Sequence, residues 1–189
     1  MELTLLSTLL LLKAVLFFAS IALVVMIAPN HKNIDPPFLP SRHTAIRRAL
    51  DMLAIKPHDV VYELGCGSGR FLFAAYEREP HARYVGIEHS LILIMYARAR
   101  RLLLGNPRNI EFIRGNLFDT PLAEATKVYA YLLRSAMVTL LPKASRELKG
   151  ATLVSLAFAF PAEKKCRDTV TIFPPPSNHG EHLLYIYDF

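Results

Sequence analysis

The sequence predicts an α/β domain: a seven-stranded, mostly parallel sheet ending in an antiparallel C-terminal strand pair, preceded by one transmembrane helix. Three observations predict it. Short apolar runs rich in β-branched and aromatic residues alternate with helical patterns between Asp59 and Phe160, as in successive βαβ units. Glycines at alternate positions, Gly65, Gly67 and Gly69, join the first of those runs to the first helix behind it. Ahead of them, Leu3 to Ala28 is apolar apart from Lys13 and a few hydroxyl residues. About 20 mostly apolar residues suffice to cross a bilayer.

Taken in order, that run comes first. A lysine near mid-span costs about 2.5–3.5 kcal/mol on insertion scales, which the surrounding Leu, Val, Ile and Phe offset. A cleaved signal would need a basic start, a shorter apolar core and a small-x-small site. Only Glu2 precedes the run, and Ala28-Pro29-Asn30 is a poor cleavage site. A retained anchor over residues 1–28 is therefore expected. Lys32, Arg42, Arg47 and Arg48 follow the span and no basic residue precedes it, which puts the rest of the chain on the cytoplasmic side. Pro29, Pro36, Pro37 and Pro40 make residues 29–40 a stiff linker. Residues 41–189 then form one domain with its own core.

Ser41 is placed to cap a helix through Leu53, with Ala45, Ile46, Ala49, Leu50 and Leu53 on one face. Asp59 to Leu64 reads as a buried parallel strand, and Arg70 to Arg78 as a helix. Arg83 to Glu88 is the second strand. Ser90 caps an apolar helix through Leu104, which Gly105-Asn106-Pro107 ends. Asn109 to Arg114 is the third strand and Thr126 to Leu132 the fourth. Ala136 to Leu148 is a helix despite Pro142, and Ala151 to Phe160 the fifth strand. Cys166 to Phe173 and Leu183 to Phe189 read as the antiparallel pair.

Composition narrows the partners. The formal net charge is +6, which suits an anionic membrane surface. No Lys/Arg run is interleaved with aromatics, so no nucleic-acid partner is expected. The two cysteines, Cys66 and Cys166, stand far apart and the seven histidines are scattered, which gives neither a disulfide framework nor a metal site and fits a reducing compartment.

The chemistry centres on Glu63-Leu64-Gly65-Cys66-Gly67-Ser68-Gly69. Glycine lets the backbone turn at positive φ and lets a ligand touch it, and the helix behind offers free N–H groups. A dinucleotide site wants G-x-G-x-x-G for a pyrophosphate, and a carboxylate at Glu63 repels a diphosphate. It suits a cation, and S-adenosylmethionine carries an ammonium and a sulfonium. Glu88, ending the second strand, is placed to accept from ribose hydroxyls. A nicotinamide enzyme and a turn without ligand are the alternatives.

Here the chain resembles the class I S-adenosylmethionine-dependent methyltransferases, with a Rossmann-like sheet. An apolar anchor, Pro37-Phe38-Leu39-Pro40-Ser41, the glycine turn, Tyr131-Leu132-Leu133-Arg134-Ser135 and a terminal Leu184-Tyr185-Ile186-Tyr187-Asp188-Phe189 follow one another. That order is similar to the small membrane-anchored lysine methyltransferases acting on the ATP synthase c-subunit and the adenine nucleotide translocase, and their prokaryotic relatives. The resemblance implies lysine N-methylation of a membrane-associated protein. It also implies that the helix after Ser41 closes over the cofactor, although the preceding prolines read equally as a spacer. It carries over Glu63, Gly65, Gly67 and Glu88 as cofactor contacts; Cys66, Gly69 and His89 beside them, and Asn116 and Leu117 after the third strand, are further candidates. Asn116 stands where the family tends to have an acid for the adenine amino group, and can accept through its amide oxygen. Tyr131, Arg134 and Ser135, at the end of the fourth strand, are the candidates facing the methyl group. No catalytic dyad is expected, because methyl transfer from a sulfonium needs mainly alignment and exclusion of water. A lipid head group or small molecule as acceptor, and a binding module without catalysis, are the competing functions.

Overall fold

The computed structural model describes residues 7, 10–18, 20, 41–172 and 183–189. The chain divides into two compact units, Met1–Pro37 and Phe38–Phe189. In the first, residues 10–18 form a helix, α1, with Leu11, Leu16 and Phe18 exposed. Among the described residues no helix is long and apolar enough to cross a membrane. The remainder of the expected span and the 29–40 linker lie outside the described residues.

The second unit is a seven-stranded sheet in the order β3-β2-β1-β4-β5-β7-β6. Its strands are β1 (Val60–Leu64), β2 (Arg83–Glu88), β3 (Ile110–Arg114), β4 (Lys127–Ala130), β5 (Thr152–Leu156), β6 (Asp168–Thr171) and β7 (Leu183–Asp188). β1 to β5 pair in parallel, and β7 runs antiparallel to both β5 and β6. Helices α2 (His43–Leu53), α3 (Arg70–Arg78), α4 (Leu91–Leu103) and α5 (Arg134–Glu147) complete it. The residues buried on α2, α3 and α4 share one core cluster, and those of α5 a second. The inner parallel strands are thus buried on two faces and are largely apolar, while the edge strand β3 alternates.

Strand order reverses between β1 and β4, so the chain leaving their carboxyl ends runs to opposite faces, into α3 and α5, and leaves the crevice where open α/β sheets take their ligands. Phe71 of α3 stacks on Tyr129 of β4, ring centroids 4.2 Å apart at 13°. That contact fixes the helix behind the glycine turn to the strand across the crevice.

Several local expectations hold. The α2 face is Ala45, Ile46, Ala49, Leu50 and Leu53. Ser90 Oγ accepts from the Leu93 N–H at 3.5 Å. α4 closes in a Schellman turn, with Asn106 N–H donating to Arg101 O and Gly105 N–H to Leu102 O. Others do not. Ser41 does not cap α2, whose N-cap is Arg42; the Ser41 hydroxyl instead lies 2.9 Å from Tyr129 Oη. β5 stops at Leu156 because Ala157 takes φ 68°, a left-handed conformation that breaks an extended run. α5 starts two residues earlier than expected, so Arg134 and Ser135 sit on its first turn.

Candidate active site

The site is built on the end of β1. Gly65 and Cys66 N–H groups both donate to Ile87 O of β2, each at 2.9 Å, which turns the chain sharply. Gly69 N–H closes the turn on Cys66 O at 2.8 Å. Gly65, Gly67 and Gly69 have φ of 71°, 52° and 73°, values that L side chains adopt only at a cost. Gly69 is the N-cap of α3.

Two carboxylates flank the turn from different strands. Glu88 ends β2 half-buried; one oxygen accepts from Gly67 N–H at 2.9 Å and the other from Ser90 N–H at 2.8 Å. It therefore ties the turn to the start of α4. Glu63 is buried beneath the turn and accepts from Leu72 N–H at 3.4 Å, in the first turn of α3. Burial pushes its carboxyl well above the ordinary range; the Leu72 N–H opposes this and the charge of Glu88 adds to it. Among the described residues, neither glutamate is in an ion pair.

A buried and a half-buried acid with no basic partner, beside a glycine turn exposed at Gly65, fit a cationic ligand with hydroxyls to donate. That is the donor set S-adenosylmethionine needs. Glu63 and Glu88 would hold its positive end and its ribose, and the turn its main chain contacts.

The structure brings the fourth-strand segment to the same place. A Cβ built on Gly65 would lie 3.1 Å from Leu132 Cδ2, so the segment after β4 leans on the turn. Tyr131 there is half-buried against the core, while Arg134 and Ser135 are exposed. His89 is exposed beside Glu88, and Leu117 packs half-buried against the second core cluster.

Two assigned contacts have their side chains elsewhere. Cys66 is buried under the turn against Gly86: a Cβ on Gly86 would lie 2.8 Å from Cys66 Sγ. Its thiol is pushed well up by burial and by Glu63 and Glu88, so it packs rather than reacts. Asn116 uses its amide locally, its Oδ1 accepting from Phe118 N–H at 3.1 Å and its Nδ2 donating to Asp119 at 2.9 Å. The exposed Asp119 is the carboxylate at this corner. Sequence reasoning passed over Gly86 and Asp119. A lone glycine inside Arg83–Glu88 was the available signal, since glycine in a strand marks close approach.

Glu63→Gln is expected to stabilise the ligand-free protein by on the order of 1 kcal/mol at neutral pH. The folded carboxyl holds its proton more tightly than the unfolded one. Stability contributed by Glu63 is therefore full below its unfolded pKa and is lost as pH rises through the raised folded value. Glutamine removes that loss. Melting curves across pH 5 to 8, the range where such curves usually peak, check this; a variant that melts lower throughout would refute it.

A family model described as the ANTKMT methyltransferase domain matches residues 63–167. A protein-lysine N-methyltransferase of Saccharolobus islandicus (strain REY15A) is 33% identical over 152 residues, covering 80% of this chain and 92% of that protein. The ATP synthase c-subunit lysine N-methyltransferase of Caenorhabditis elegans is 24% identical over 148 residues, 75% of this chain and 77% of that one. Among solved structures, an RNA methyltransferase from Salinibacter ruber in complex with S-adenosyl-L-homocysteine superposes with a TM-score of 0.71 at 30% identity, covering 79% of this chain and 93% of that chain.

Proposed function

The chain belongs to the ANTKMT methyltransferase family and is an S-adenosylmethionine-dependent class I methyltransferase; from that premise we propose that it methylates lysine side chains of a membrane-associated protein. The observation carrying the site is the uncompensated pair Glu63 and Glu88 beside the glycine turn. The bound cofactor supplies an electrophilic methyl group and a neutral thioether leaving group. Everything else falls to the chain. Glu88 orients the turn, Glu63 braces the first turn of α3 beneath it through Leu72 N–H, and the segment from Tyr131 to Ser135 borders the approach.

The acceptor amine must arrive neutral. Arg134, exposed on the first turn of α5, sets positive charge beside the approach, which favours the unprotonated amine. Ser135 adds a hydroxyl, and Tyr131 supplies a wall. The proton leaves to solvent, in keeping with the absence of any need for a dyad. The membrane part of the proposal rests on the apolar run Leu3 to Ala28 and the basic residues after it. An anchor there raises the effective concentration of a substrate in the same bilayer and leaves the domain on the cytoplasmic side.

The test is transfer of radiolabelled methyl groups from S-adenosylmethionine into membranes, with RNA present. Label that stays with protein and is recovered as methyl-lysine after hydrolysis supports the proposal. Label that extracts with lipid, or that ribonuclease releases, overturns the acceptor. The RNA arm is included because of the Salinibacter ruber relative.

A further inference from the structure

α4 is apolar on two opposite faces. Ile94 and Ala97 are buried in the core. At 3.6 residues per turn, Leu91, Ile92, Met95, Tyr96, Leu102 and Leu103 fall in an arc of about 140° pointing the other way. Met95 and Tyr96 are each 59% exposed, Leu102 61% and Leu103 88%. Contiguous exposed apolar surface of this kind on a folded domain marks an interaction site.

Charge says which kind. Arg98 and Arg100 border the arc on its two sides, by the same helical count. Arg98 leans back to donate to Phe112 O at 2.8 Å, and the Arg100 guanidinium lies 4.4 Å from the Phe73 ring centroid. Between Ser90 and Ile110 there are four arginines, Arg98, Arg100, Arg101 and Arg108, and no acidic residue. None of the four is in an ion pair among the described residues.

We propose that this face of α4 seats the domain on an anionic lipid surface. An outward apolar stripe edged by arginines is what an interfacial helix needs: the stripe enters the head-group boundary and the arginines meet lipid phosphates. A second copy of the same face fits poorly, because a two-fold contact would bring the arginines of both copies together. The seat is a function distinct from methyl transfer itself. It has a geometric consequence. α4 packs on β2 and on the edge strand β3 and starts just after Glu88. Lying flat, it holds its own start, and with it Glu88 and the glycine turn, close to the membrane surface.

The test uses the full chain with Cys166→Ser, which removes the exposed cysteine and leaves the buried Cys66. An environment-sensitive fluorophore is attached at Leu103→Cys, and in a second protein at Ser145→Cys on α5. Each is added to phosphatidylcholine–phosphatidylglycerol vesicles carrying spin-labelled lipid. Quenching at position 103 severalfold above that at 145 supports the seat. So does its weakening in Arg98→Gln and Arg100→Gln chains, by roughly fivefold in vesicle affinity per arginine. Equal quenching at the two positions, or none at 103, overturns it. A blue shift at 103 without vesicles also overturns it, meaning self-association if it grows with protein concentration and a cover from elsewhere in the chain if it does not. Retained S-adenosylmethionine binding shows that each variant is folded and keeps this outcome apart from the methyltransferase reading. Met95→Cys replaces Leu103→Cys if the latter fails to fold.

Discussion

Glu88→Ala is expected to bind S-adenosylmethionine about 5- to 150-fold more weakly than the parent by calorimetry, the range that a loss of about 1–3 kcal/mol gives. Two effects add. The ribose acceptor is lost, and Gly67 N–H and Ser90 N–H lose the carboxylate that holds the turn to α4. An ionised carboxylate has about four lone-pair sites, so the two backbone bonds leave room for ligand hydroxyls. Glu88→Gln keeps one acceptor oxygen and should lose less. Unchanged affinity in the alanine variant would remove Glu88 from the cofactor site.

Gly69→Ala should be the most damaging single methyl in the domain. At φ 73° the new Cβ would lie 2.8 Å from Phe112 Cζ and 3.1 Å from Phe73 Cε2. The left-handed backbone costs about 1–2 kcal/mol for a side-chain-bearing residue, and overpacking about 1–3 kcal/mol more. Phe112 is 3% exposed and packs against Phe73, so its ring has nowhere to swing. The melting temperature should fall by roughly 5–15 °C. Gly105→Ala is the control: its φ is 83° but nothing lies within 4 Å of the added Cβ. It should cost only the backbone part, about 1–2 kcal/mol. Equal losses in the two variants would mean that the Phe112 contact is not what demands glycine at 69.

The order of strands and helices was legible because each element carries its own local signal. The apolar face of α2, the Ser90 cap and the glycine end of α4 depend on residues within a few positions of one another. Side-chain destinations were less legible. Glu63 reads as an acid at a strand end, and its bond to Leu72, nine positions on in α3, was not legible there. Ser41 reads as a cap, yet its hydroxyl meets Tyr129, 88 residues away. Asn116 reads as an adenine acceptor, and its local bonds to Phe118 and Asp119 were not legible.

By itself the sequence determined the backbone: strands from apolar runs, a turn from alternate glycines, helices from caps and periodicity. Short-range sterics and hydrogen bonding decide these, and they are written in neighbouring residues. Only the tertiary structure decided that Glu88 reaches back 21 positions to Gly67, that Leu132 leans on Gly65, and that α4 keeps an apolar face outside the core. The physical reason is that such contacts depend on which strand lies beside which. Adjacency in a sheet ordered β3-β2-β1-β4-β5-β7-β6 follows from the packing of the whole domain rather than from any local stretch.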